Sequence, residues 1–168
     1  MIDNFGPVVV ERFIQGPEYT VLVVENLENE ADPLALTPMQ CIFPDGHDFS
    51  HFALKWAWSS LKFGVVLDTK VADRLKECAK KIFRLCNGNS YARFDFRMDI
   101  NTGEIYFLEV NTNCSIFYEE VVYYGSADHI LTIDPLGHDG FIKLIVECAL
   151  KRRKRCEQKY EIGYNPKK

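Results

Sequence analysis

No stretch of the 168 residues approaches the ~18–20 consecutive apolar side chains needed to cross a bilayer, so no membrane-spanning helix is expected. The opening residues Met1-Ile2-Asp3-Asn4-Phe5 hold neither a basic segment nor an apolar run, and no secretory signal is expected. Six cysteines are present, Cys41, Cys78, Cys86, Cys114, Cys148 and Cys156, but no two form a CxxC pair and no histidine beside them has zinc-ligand spacing. Buried or free thiols in a reducing, cytoplasmic compartment follow. Neither glycine-rich phosphate motif, GxGxxG or GxxxxGK[ST], occurs. Repeats and low-complexity tracts are missing too. With 47% hydrophobic and 13% aromatic residues the chain falls outside the disordered class.

Positive charge is scarce until the end. Residues 151–168 hold eight Lys/Arg against two Asp/Glu; the first 150 residues hold twelve against 22, a net of −10. A body so acidic suits cations and is not expected to form a nucleic-acid groove. The run Lys151-Arg152-Arg153-Lys154-Arg155 has two readings. It is either the cationic C-terminal end of a helix, opposing the macrodipole and followed by a tail, or a nuclear address.

What is there reads as α+β. The β-branched runs 8–14 and 18–24 are expected strands, the first of them buried, joined by the turn Gln15-Gly16-Pro17. Residues 25–38 are expected to be a loop or a hairpin tip, 39–43 a third strand and 49–64 a long, partly ordered functional loop. From 68 to 85 the period becomes helical, with Val71, Leu75, Cys78, Ala79, Ile82 and Phe83 on one face and Asp68 or Thr69 as N-cap. Strands over 91–100 and 104–110 flank the hairpin loop Asn101-Thr102-Gly103. A long turn-rich segment is expected over 111–138 and a last helix over 139–155.

The alternation within the hairpin carries chemistry. Tyr91, Arg93, Asp95 and Arg97 share one face of their strand, and Ala92, Phe94, Phe96 and Met98 the other, which reads as core. In the partner strand Ile105, Phe107 and Glu109 alternate with Tyr106, Leu108 and Val110. Antiparallel pairing sets the start of the first strand against the end of the second, so Arg93, Asp95, Glu109 and Asn111 can meet. Two carboxylates and an amide oxygen are hard ligands suited to Mg²⁺ with substrate phosphates. An arginine beside them suits an oxyanion or a phosphoryl oxygen. The bland alternative is a solvated sheet face, but Glu109 lies within an apolar run, where a carboxylate is costly unless paired.

Arg93-Phe94-Asp95-Phe96, with Glu104-Ile105-Tyr106-Phe107-Leu108-Glu109-Val110-Asn111-Thr112-Asn113, resembles the metal-binding hairpin of the ATP-grasp superfamily, with D-alanine–D-alanine ligases as its nearest likeness. Glu11-Arg12-Phe13-Ile14 and Gly16-Pro17-Glu18 resemble that family's adenine hinge and the turn after it. Lys55-Trp56 resembles its lid-loop pair. The resemblance implies the C-terminal half of an ATP-grasp fold, an antiparallel sheet flanked by helices. Residues 1–150 would form a partial domain, the nucleotide and metal lobe, and 151–168 a basic tail. It implies an ATP- and Mg²⁺-dependent carboxylate–amine ligase working through an acyl phosphate. Asp95, Glu109 and Asn111 would hold the metals and Arg93 would stabilise the tetrahedral oxyanion. Lys55 would reach the terminal phosphate. The backbone of Arg12, Phe13 and Ile14 would read adenine, Glu11 would take its amino group, and Glu18 would accept from the ribose hydroxyls.

The likeness also implies a lobe that these residues do not supply, bearing two phosphate-contacting lysines, a phosphate loop and a site for the first substrate. The implied partners are small-molecule carboxylate and amine substrates and that lobe or another subunit. The alternative is a non-catalytic binding module that keeps the fold. Where the family has Pro-Gly after its Asn-Thr-Asn, this chain has Cys114-Ser115. With Glu119, Glu120, Tyr118, Tyr123 and Tyr124 beyond, the expected second substrate is larger or cationic, unless these aromatics simply pack beneath the hairpin.

Overall fold

The computed structural model describes residues 6–51, 54, 61–116 and 125–163, with side chains followed to residue 158. Its centre is β1 (Glu18–Val24), buried from Tyr19 onward. A strand covered on both faces needs apolar side chains at successive positions rather than at alternate ones, and Val21-Leu22-Val23-Val24 supplies them. Along its whole length β1 pairs antiparallel with β5 (Tyr91–Met98). Its other edge takes β3 (Met39–Ile42) at the start and the two-residue β2 (Leu34–Ala35) at the end. β4 (Lys62–Val65) lies outside β3, and β6 (Ile105–Asn111) outside β5. The order is β4-β3-β1-β5-β6, antiparallel throughout.

One sheet face is covered by α1 (Thr69–Leu85). Leu75, Ala79 and Phe83 pack on Val21, Val23, Ala92, Phe94 and Phe96, so the expected core face of β5 is the observed one. Burying a side chain such as Phe94 stabilises by ~1.5–3 kcal/mol. The Asp68 carboxylate caps the helix, accepting from the amides of Lys70 (2.9 Å) and Val71 (3.3 Å). The other face carries a second core, in which Leu22, Val24 and Met39 meet α2 (Ser126–Ile133) and Phe141 of α3 (Gly137–Gly163). The architecture is the expected α+β, an antiparallel sheet with helices on both sides.

Four local expectations change. Residues 8–14, read as a buried strand, run outside the sheet, and Val9 and Val10 are 86% and 89% exposed. A β-branched run signals a strand only where an edge is available to pair with it. The end of the 49–64 segment is β4, too short to show a period, whereas over 25–38 the two-residue β2 folds back antiparallel on β1 as a hairpin tip does. α2 lies within the expected turn-rich segment, because two turns placing Ala127, Ile130 and Leu131 inward leave little pattern. The last helix exceeds 139–155 at both ends, and the basic run 151–155 lies inside it.

Candidate functional site

The site is built on the β5–β6 hairpin. Asp99 closes its tip, its carboxylate accepting from the amides of Asn101 (2.8 Å) and Thr102 (3.1 Å), while Gly103 takes the positive φ of 69°. Near the tip Phe96 pairs with Phe107 and Met98 with Ile105. Beyond the bulge Asp95 pairs with Glu109, and Arg93 with Asn111. Leu108 is the extra residue. Plain alternation puts Glu109 on the face of Phe107; the bulge reverses this, sending Phe107 to the core side and Glu109 across from Asp95.

All four residues of the expected constellation therefore meet. The Arg93 guanidinium grips Asp95: Nε donates to Oδ1 at 3.0 Å and Nη2 to Oδ2 at 2.8 Å. Arg93 Nη2 also lies 3.8 Å from a Glu109 carboxylate oxygen. The side chains of Arg93 and Asp95 are only 13% and 14% exposed, against 57% for Glu109. Glu109 thus presents a largely open carboxylate beside a buried ion pair. Burial works against charge on Arg93, but the hydrogen bond and charge of Asp95 prevail and hold its pKa above the ordinary value. Asn111 Oδ1 accepts from the Asn113 amide at 3.2 Å, which turns the amide oxygen within its own loop.

Two groups that the motifs do not mark join this face. Thr20 of β1 pairs with Asp95, and its hydroxyl donates to Asp95 Oδ1 at 2.8 Å. Arg97, almost wholly buried, pairs across the sheet with Glu18, whose Oε2 lies 3.7 Å from its Nη1. The available signal for both was position: Arg97 continues the odd-numbered face of Arg93 and Asp95, and Thr20 stands two residues from Glu18. Glu18 and Thr20 are thus ~7 Å apart on one strand face, which makes the two clusters neighbours. Cys41 stands opposite Glu18 on β3, and Cys114 follows the hairpin close to Arg93. Burial pushes the Cys114 thiol up to about 11 and Cys41 higher still, so neither is a ready nucleophile.

The hinge residues are placed differently. Glu11, Arg12 and Phe13 are exposed and Ile14 is buried. Phe13 lies edge-on to Phe49, ring centroids 6.3 Å apart, beneath the 47–51 segment. Gly16 brings the turn before β1 against β5. A Cβ there would stand 2.0 Å from the Met98 carbonyl oxygen, and its φ is +147°. Ile100 donates to Gln15 O and Met98 to Pro17 O, so the turn is stitched onto the hairpin. Lys55, and the acidic and aromatic residues 117–124, lie outside the described residues. His47 and His51 are in contact, Nδ1 to Nε2 2.9 Å, yet among the described residues no three His, Cys, Asp or Glu side chains gather as a metal site. The hairpin face carries two carboxylates, Asp95 and Glu109, and the Asn111 amide.

Comparison with known proteins gives matches that span this hairpin. A family model described as the D-ala D-ala ligase C-terminus matches residues 3–118. The D-alanine–D-alanine ligase of Aquifex aeolicus is 30% identical over 106 residues, covering 62% of this chain and 33% of the relative. D-alanine–D-alanine ligase B of Clostridium tetani is 35% identical over 107 residues, covering 62% and 28%. Among solved structures, the D-alanine–D-alanine ligase of Coxiella burnetii superposes with a TM-score of 0.66 at 19% identity, covering 91% of this chain and 38% of that one. The Bacillus anthracis ligase complexed with ATP gives 0.61 at 18% identity, covering 86% and 42%. These structures share the fold. The chain spans about a third of the length of the curated relatives it matches.

Proposed function

Since the chain belongs to the D-ala D-ala ligase C-terminal family, we propose that residues 1–150 are the nucleotide- and metal-binding lobe of an ATP-dependent carboxylate–amine ligase. The observation that carries this reading is the bulge at Leu108, which sets Glu109 across from an Asp95 already oriented by Arg93 and Thr20. Carboxylates arranged with an amide oxygen and no thiol or imidazole fit Mg²⁺. Asp95 and Glu109 would hold it with Asn111, and when bound it neutralises charge on the ATP phosphates.

The reaction class is balanced in two steps. A substrate carboxylate oxygen takes the terminal phosphoryl group of ATP, giving an acyl phosphate and ADP. An amine then attacks the acyl carbon, and the tetrahedral oxyanion collapses with loss of phosphate and a proton. Arg93 serves the oxyanion; the two hydrogen bonds to Asp95 fix the orientation of its guanidinium. Glu18 accepts from the ribose hydroxyls, with Glu11 and the backbone of Arg12, Phe13 and Ile14 along the adenine edge. Lys55 serves the terminal phosphate. The substrates are a small carboxylate and a small amine, D-alanine among the candidates. The first-substrate site belongs to a further lobe or another subunit.

Calorimetric titration of the chain with Mg·ATP tests the reading. Asp95→Asn and Glu109→Gln are expected to abolish measurable binding while each variant keeps a cooperative melt. Unchanged Mg·ATP affinity in both would overturn it. ADP release with a carboxylate and an amine present separates a ligase from a module that only binds nucleotide.

A further inference from the structure

Arg97 is the least expected side chain on the site face. It is 5% exposed, yet its charge is held by few and scattered partners. Nη2 donates to the carbonyl of Gly16 at 3.0 Å and to that of Asp48, Nη1 faces Glu18 at 3.7 Å, and the guanidinium carbon lies 4.5 Å over the Phe13 ring. Its Nε–H is buried without a hydrogen-bond partner among the described residues. An unmet buried donor is costly, so a position needing only to fill space is better served by an apolar side chain of this length.

The four contacts have one thing in common. Phe13 and Gly16 belong to the hinge segment, Asp48 to the segment packed over it, and Glu18 to the strand that follows. A planar guanidinium with five fixed donors can tie three such pieces together, which an ammonium cannot.

We propose that Arg97 is a positioning residue of the nucleotide site. It holds the Glu18 carboxylate toward the ribose edge while locking the Phe13 hinge and the Asp48 segment around it. This rests on the nucleotide reading given above. A carboxylate left unrestrained rotates through several orientations; one held by a buried cation presents its outer lone pairs to a vicinal diol without first losing that freedom.

The test is discrimination between Mg·ATP and Mg·2′,3′-dideoxy-ATP, by titration calorimetry on the full chain and on Arg97→Met and Arg97→Lys. Hydrogen bonds from hydroxyls to an oriented carboxylate favour ATP by roughly tenfold in the unaltered chain. Arg97→Met is expected to narrow that preference to about twofold, almost wholly through weaker ATP binding. Arg97→Lys, which keeps the charge but not the fork, falls between and carries the test alone if the Met variant does not fold. An unchanged preference in the variants overturns the role of Arg97 and leaves the nucleotide reading standing. Equal weakening of both nucleotides marks a purely structural residue and also overturns it. Failure of the unaltered chain to bind either nucleotide overturns both readings.

Discussion

Single residues on the site face carry charge at a cost. Arg93 and Asp95 are buried together, so removing either partner strands the other. Arg93→Met is expected to destabilise the chain by ~3 kcal/mol in urea unfolding, and a milder loss is expected for Arg93→Lys, which keeps the charge. His129 behaves oppositely. Burial beside Phe63 holds its pKa below the ordinary 6.5, with the Asp128 charge only partly offsetting this. The unfolded chain therefore takes up a proton near pH 6.5 that the folded chain resists, and stability present above that pH declines as pH falls through the window below it. His129→Gln is expected to flatten this part of the stability profile between pH 7 and 5; an unaltered slope would assign it to other groups. At this scale the motifs marked Arg93, Asp95, Glu18 and Glu109 legibly, since each is a charge at a strand position. Thr20 and Arg97 were not marked, because a threonine or arginine on a strand acquires meaning only from what the neighbouring strand sets beside it.

Elements place these residues through turns and register. Gly16 lets the hinge approach β5 closely enough for Met98 to donate to Pro17 O, and no Cβ fits between. Gly16→Ala is expected to cost ~2 kcal/mol or more and to loosen the Phe13–Arg97 contact, measurable as a lower melting temperature. Asp68→Ala removes the α1 cap and is expected to cost ~1 kcal/mol without touching the site, which makes it a useful control. The α1 period and its cap were legible because helix signals are local. The bulge was not, because one residue more or less in a ladder is decided by the partner strand. That slip turns Glu109 from the face of Phe107 to the face of Asp95.

At the scale of the whole molecule, the sheet is covered on both sides and the last helix is tied back to the loop after β1. Glu25 accepts from the Ser90 amide at 2.8 Å and pairs with Arg152, while Lys151 donates to Leu27 O at 2.7 Å and, with Arg155, pairs with Glu30. Glu25→Ala is expected to cost ~1–3 kcal/mol in urea unfolding, since it strands both a partly buried amide and a partly buried cation. Arg153→Ala removes only an exposed pair with Glu157 and is expected to change stability by less than ~0.5 kcal/mol. Three of the five cations in the 151–155 run are thus engaged within the fold, which does not support a nuclear address. No helix among the described residues is long and apolar enough to cross a membrane.

The sequence by itself determined the fold class, the hairpin and the family likeness, because hydrophobic period, turn residues and motif spacing are written in neighbouring positions. The burial of Arg97 against Glu18, the placement of Glu109 by a bulge, the exposure of residues 8–14 and the anchoring of the basic helix were decided only by the tertiary structure. Each depends on which side chain a distant strand or helix sets alongside, and a strand's meaning changes with its register, while the local pattern that announces it does not.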